Sequence, residues 1–380
     1  MRHLYLAATG QNRGKTTASL GLLEMFLGEG LRTGFMKPVG QRTVVDESGV
    51  PADEDAVLVK AVFGLPEPLA VMSPVHIPRG FTKAYIAGEV VEDLGARIVR
   101  AHATFAESAD VVLVEGTGHA GVGAVVGLSN AVVAALLRTP AVIVSEGGVG
   151  RPIDELVLNA SHFAAHGVTV AGAIVNKVNL DAQPGIAGIL EKGLARHGIP
   201  LLGVIPYRPL LSNPTLAMIL EGTGARLLAA GPDLDVVTGG ISVAAMQPHH
   251  VLRHVSGRRI VIVAGDREDV IVALARAHRA EMRRPAVVRG DVEPATVGFV
   301  LTGYLPRPEV IEEIRRADLF ACFLDEDTYV VASGVHDLLV KTHAADREKI
   351  ATIKSIVAAS LDVGRMLAAA AEAAPAGRPA

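Results

Sequence analysis

Short apolar runs alternate with longer stretches in which apolar residues recur every three to four positions, and this rhythm continues from the N-terminus to about residue 210. Residues 4–7, 33–36, 111–114, 141–144, 170–175 and 201–205 are short and apolar enough to be strands buried on both faces. Residues 18–27 and 154–166 carry helical spacing instead. Strands that alternate with helices predict an α/β fold with a doubly wound, mostly parallel sheet. The most apolar internal stretch, 120–137, is interrupted by Ser129 and Asn130 and predicts a packed core helix rather than a membrane span.

The rhythm pauses at residues 208–214, where Pro209, Asn213 and Pro214 predict a linker. A second, smaller α/β pattern follows. Its strands are expected to end at 235–240, 259–267 and 297–303, with a short one at 320–324, and its helices to occupy 268–278 and 308–317. Residues 346 to about 367 predict an amphipathic helix, and the alanine- and proline-rich tail is expected to fray. The expected organisation is one domain over 1–212, a second over 213–340, a C-terminal helix over 341–367 and a disordered tail over 368–380.

The turns between these elements carry the chemistry. The first strand runs into Ala8, Thr9, Gly10, Gln11, Asn12, Arg13, Gly14, Lys15, Thr16 and Thr17, and a helix follows. A phosphate-binding loop has this layout, with backbone N–H groups aimed at an anion, a lysine for the outer phosphates and a hydroxyl for Mg²⁺. The strict pattern places glycine five residues before Gly14, where this chain has Thr9; the competing reading is a tight β–α turn with a surface lysine. Lys37 ends the second strand, at the sheet edge where open α/β folds bind ligands. The cluster Asp53-Glu54-Asp55 suits the first turn of a helix, and Asp55 is also a candidate for facing Mg²⁺. Glu115 ends a strand of four branched apolar residues, the place where nucleoside triphosphatases put a Mg²⁺-side carboxylate. Asn176 and Lys177 end another, in a pattern resembling a base-recognition turn; Asn179 stands where the guanine-reading version has aspartate, which favours adenine.

Composition excludes several classes. The 380 residues carry a formal net charge of -4, which gives no global attraction to nucleic acid or to an anionic membrane. A single cysteine, Cys322, rules out an intrachain disulfide and reads as a core thiol in an apolar strand. Met1-Arg2-His3 leads straight into a strand without the segment of a signal peptide, so the cytoplasm is the expected location. His249, His250 and His254 lack a carboxylate or cysteine nearby and are expected to be solvated rather than metal-bound.

Taken together, the loop 8–17, Lys37-Pro38-Val39, Glu115-Gly116, Val175-Asn176-Lys177 and Ile205-Pro206-Tyr207 resemble the dethiobiotin synthetase-like P-loop family, which includes cobyrinic acid diamide synthases. That family's loop is one residue longer than the common one, which accounts for Thr9; Ala8 stands where it usually begins with glycine. Residues 215 to about 330 resemble a DRTGG domain, with Asp266-Arg267 and Thr302-Gly303 matching its name and Tyr304 in place of its last glycine. The pair resembles the N-terminal half of long bacterial phosphotransacetylases. The resemblance implies Lys15 on the phosphates of ATP, with Gly10, Gln11, Asn12, Arg13, Gly14, Thr16 and Thr17 cradling them. It also implies Thr16, Asp55 and Glu115 around Mg²⁺, Asn176 beside the adenine, and Lys37 on a substrate carbamate or carboxylate. A homodimer is the expected assembly.

Two functions follow from this. One is a nucleotide-responsive regulatory or interaction module in acyl or cofactor metabolism. The other is an ATP-dependent ligase that activates a small carboxylate or carbamate, with Lys15 and Lys37 as its catalytic lysines. Acetyl transfer is not expected, because that family places it in a further C-terminal domain. Glutamine-dependent amidation is not expected either, because Cys322 does not sit at a strand–helix turn. Residues 11–13 lack the early second lysine of DNA-partitioning ATPases, for which Arg13 would be the substitute.

Overall fold

The computed structural model describes residues 2–45, 49, 51–283, 294–336, 338, 342–344 and 346–374. The chain divides into two compact units, Met1–Tyr207 with His343–Ala380, and Arg208–Thr342.

The first unit begins with β1 (Arg2–Ala8), α1 (Lys15–Gly28) and β2 (Thr33–Met36). After a small hairpin come α2 (Glu54–Phe63), α3 (Leu94–Ala103), β3 (Val111–Glu115), α4 (Asn130–Leu136), β4 (Ala141–Glu146), α5 (Gly150–Ala165), β5 (Val170–Val178), α6 (Ile186–Ala195) and β6 (Leu201–Pro206). Among the described residues these strands form a six-stranded sheet in the order β6-β5-β4-β1-β3-β2, with every pairing parallel. β1 is central, and the chain reverses its winding direction there, so the crevice beyond its C-terminal end is where a ligand fits. Residues 111–114 are wholly buried, as expected for strands covered on both faces, and each such side chain contributes roughly 1.5–3 kcal/mol.

The second unit contains α7 (Leu216–Thr223), β7 (Arg226–Ala230), β8 (Gly240–Val243), α8 (Pro248–His254), β9 (Arg259–Ala264), α9 (Glu268–Met282), β10 (Thr296–Thr302), α10 (Pro308–Arg316), β11 (Phe320–Leu324) and α11 (Thr328–His336). Its sheet runs β7-β11-β10-β9-β8, parallel except for β7 against β11. Apolar clusters cover both faces. Cys322 lies at 0% exposure within one of them, and burial pushes its thiol up to about 12.

Several expectations need correction. Residues 120–137 are not one helix: Gly123 and Gly127 take left-handed conformations around a single 3-10 turn, and the helix starts only at Asn130, capped by the Ser129 side chain. Residues 235–238 are not a strand, because the carbonyls of Leu234 and Val236 accept from Ala217 and Leu216 at the start of α7; the strand begins at Gly240. β7 and α11 were not legible as separate elements. Within the expected linker, Pro209–Ser212 forms one helical turn.

The C-terminal segment is neither a single helix nor a separate element. α12 (Arg347–Ser360) and α13 (Val363–Ala373) are separated by Leu361, which is extended and bridges to Gly203, and the Asp362 side chain then caps α13 by accepting from Arg365 N. α12 lies on α1, where Gly21 makes room: a Cβ there would stand 2.2 Å from Val357 Cβ. Lys354 pairs with Glu24 at 2.7 Å across the same seam. Residues 368–373, expected to fray, are helical with Ala370 buried; the tail beyond 374 lies outside the described residues.

Candidate functional site

The loop between β1 and α1 is built to leave a helix N-terminus open. Gly14 stands at φ 93, which a side chain would strain, and no side chain caps α1. Helical bonding starts with Ala18 N donating to Gly14 O at 3.0 Å, so the N–H groups of the first turn have no helical acceptor. No acidic residue occupies that turn. An open N-terminus of this kind attracts anions through its N–H groups and its dipole. Gln11 and Asn12 are exposed, while Gly10, Arg13, Thr16 and Thr17 are half-buried.

Behind this turn the structure brings together Lys15, Thr16, Lys37, Asp55 and Glu115, contributed by α1, the end of β2, α2 and β3. Lys37 Nζ donates to Asp55 Oδ2 at 2.6 Å, to Glu115 Oε1 at 2.9 Å and to Gly116 O at 3.4 Å. The second oxygens of both acids are also taken. Thr16 Oγ1 donates to Asp55 Oδ1 at 3.1 Å, and Ser19 Oγ to Glu115 Oε2 at 2.5 Å. Asp55 reaches the site because Asp53 caps α2 by accepting from Asp55 N at 3.1 Å, which fixes Asp55 in the first turn.

The charges here are strongly perturbed. Burial penalises the Lys37 ammonium, yet Asp55, Glu115 and Asp53 more than offset this and hold it protonated. Burial, together with the Lys37 charge, brings Lys15 down to about 8. Glu115 is raised, chiefly by burial; burial is also the largest influence on Asp55, but the Lys37 charge together with the hydrogen bonds from Lys37 and Thr16 overcomes it and the carboxyl is lowered. Thr16, Asp55 and Glu115 offer the hard oxygen donors that suit Mg²⁺, and the open N-terminus beside Lys15 suits phosphate.

The loop itself is braced from the far side of the sheet. Asn176 Nδ2 donates to Arg13 O at 3.1 Å, directly under Gly14, where a Cβ would meet that nitrogen at 1.8 Å. Lys177 Nζ donates to Asn12 O and to Glu146 Oε1, both at 2.7 Å. Arg13 pairs with Glu146 and lies 3.7 Å from Glu155. Asn176 and Lys177 therefore hold the loop, a contact that a base-recognition reading does not suggest.

Sequence reasoning missed Ser19, Glu146 and Asn130. Ser19 lies three residues after Thr16, on the same helical face, and Glu146 is an acid at a strand end like Glu115; both signals were present. Asn130 Oδ1 accepts from Tyr5 at 2.9 Å and Thr117 N at 3.0 Å, and its Nδ2 donates to the Thr117 and His119 carbonyls, which fixes the turn after Glu115. No local pattern marks it.

In the second unit, Asp266-Arg267 and Thr302-Gly303 fall at the C-terminal ends of neighbouring strands. Thr302 Oγ1 lies 2.7 Å from Thr328 Oγ1, and Arg267 is engaged by Asp269 and by Met246 O. Gly265 is packed against Tyr304 O, which a Cβ would approach to 1.6 Å, while the Tyr304 side chain is exposed. Among the described residues no cluster of three or more His, Cys, Asp or Glu side chains forms a metal site, and His249, His250 and His254 lie on α8. No helix among the described residues is long and apolar enough to cross a membrane.

The chain is 27% identical over 382 residues to the phosphate acetyltransferase of Pseudomonas putida, which aligns 95% of this chain and 51% of that protein. It is 25% identical over 320 residues to the phosphate acetyltransferase of Synechocystis sp., covering 82% of this chain and 43% of that one. The chain thus spans about half the length of the curated relatives it matches. Among solved structures, the MinC:MinD complex of Aquifex aeolicus aligns with 56% of this chain and 84% of its own at 13% identity and a TM-score of 0.36. The DRTGG domain model matches residues 218–338. The AAA domain model (AAA_26) matches residues 2–215, more than half of the chain, and the protein therefore belongs to that P-loop family, with a DRTGG domain following it.

Proposed function

We propose that the first unit binds Mg-ATP and that the DRTGG unit makes the chain a nucleotide-responsive regulatory or interaction module in acyl or cofactor metabolism. One observation carries this: an uncapped helix N-terminus, preceded by a glycine at φ 93, opens beside a buried lysine and a hydroxyl–carboxylate set suited to Mg²⁺. Lys15 would meet the outer phosphates, whose charge relieves the burial of its ammonium. Thr16, Asp55 and Glu115 would hold Mg²⁺, which when bound screens the phosphate charge. Asn176, which the resemblance puts beside the base, would turn its amide oxygen, an acceptor, to the exocyclic amine of adenine rather than to the carbonyl of guanine.

The resemblance to phosphate acetyltransferases supports a place beside acyl metabolism. Calorimetric titration of ATP, ADP and GTP with Mg²⁺ into wild type and Lys15→Ala tests the reading. Adenine-selective binding abolished by the substitution is the expected result, and equal binding by both proteins would sink it.

A second reading is the ATP-dependent ligase. Its support is Lys37, whose ammonium reaches the same crevice as Lys15 and could turn to a substrate carboxylate or carbamate. ATP turnover that depends on a small acid and is lost in Lys37→Ala would favour it over the regulatory module.

A further inference from the structure

The Lys37 ammonium occupies the space between Asp55 and Glu115. It takes one oxygen of each, while Thr16 and Ser19 orient the other two. Its side chain is 5% exposed and that of Glu115 is 1% exposed, so little water can share the screening. We propose that Lys37 is the resident counter-ion of the cation pocket. In the nucleotide-free chain its ammonium stands where a divalent cation enters with the nucleotide, so metal entry and Lys37 departure are one exchange. This rests on the proposed Mg-ATP site and adds a positioning role for Lys37 that needs no second substrate.

The charge balance supports the exchange. Asp53, Asp55 and Glu115 face Lys15 and Lys37, three carboxylates against two ammonium groups. A divalent cation added without phosphate would meet two buried ammonium groups and would have to displace one of them with no anion to receive it. Phosphates arriving at the open end of α1 supply that anion, and Lys37, released from the carboxylates, can turn toward it. Metal and nucleotide binding are then coupled through one side chain. Removing the lysine leaves the buried Glu115 and the partly buried Asp55 without their shared counter-ion, three carboxylates against Lys15 alone, and such a set seeks a cation.

The test uses Mn²⁺ as probe, with free ion counted by electron paramagnetic resonance over the full chain without nucleotide. Lys37→Met is expected to bind Mn²⁺ about tenfold or more tightly than wild type. Lys37→Met/Glu115→Gln, which relieves the carboxylate repulsion and tolerates loss of the lysine better, should fall back to wild-type weakness. Equal Mn²⁺ affinity in wild type and Lys37→Met would overturn the exchange. So would tight nucleotide-free binding by wild type that Glu115→Gln abolishes, an observation that needs no Lys37 variant to fold. If wild type fails to bind nucleotide while the Mn²⁺ difference persists, the competition between Lys37 and a divalent cation stands, and the proposed nucleotide site is lost together with its coupling to the metal.

Discussion

Replacing Lys15 by methionine should stabilise the nucleotide-free first unit, and the gain should fade with rising pH. Lys15 is 8% exposed and its ammonium is held near 8, against 10.5 for a free lysine, chiefly by burial and then by Lys37. Below about pH 8 both the folded and unfolded chains carry the proton, so the fold bears the whole cost of burying it. Between 8 and 10.5 the folded chain releases the proton while the unfolded chain keeps it, and stability rises with pH. The cost is ~3 kcal/mol at pH 7 and ~1 kcal/mol at pH 9.5. Methionine keeps the apolar stem and removes the charge, so Lys15→Met should recover most of that difference at pH 7 and less than half of it at pH 9.5. Urea unfolding, read by the fluorine resonance of a fluorotyrosine at the fully buried Tyr5, reports this unit alone. A variant that is less stable than wild type at pH 7, or a gain that does not change with pH, would refute the reasoning.

Gly14→Ala should cost ~1–2 kcal/mol for the left-handed backbone and ~1–3 kcal/mol more for driving the Asn176 amide off Arg13 O. The same substitution in an Asn176→Ala background should cost only the first part, and strict additivity in the double-mutant cycle would count against the bracing contact. Gly21→Leu should wedge α12 off α1 at a cost of ~1–3 kcal/mol, seen as faster protease cleavage after α11; an unchanged digestion pattern would contradict the close seam at Val357. With its thiol raised to about 12 by burial, Cys322 should resist a disulfide reagent in the native protein at pH 8 and react only at the rate at which the second unit opens. Rapid modification without opening would show the thiol to be accessible.

Some of the site could be read along the chain because its signals are local. The glycine turn after β1, the acid ending β3 and the Asp53 cap of α2 each lie within a few residues of the element that positions them. The errors occurred where local pattern met a distant partner. Residues 235–238 looked like a strand but pair with the start of α7. The break at Leu361 was invisible because a backbone about 160 residues away, at Gly203, draws it into extension.

By itself the sequence determined a parallel α/β sheet, a phosphate-type loop at its centre, and carboxylates at the strand ends beside it, because periodicity and turn chemistry act over one or two turns of chain. Only the tertiary structure decided that Lys37 sits between Asp55 and Glu115, which lie 18 and 78 residues from it. It alone placed Asn176 under a glycine 162 residues earlier in the numbering and returned α12 and α13 to the first unit. Those arrangements come from burial and charge pairing between segments that the sheet order makes neighbours, and no short window of sequence contains both halves of such a pair.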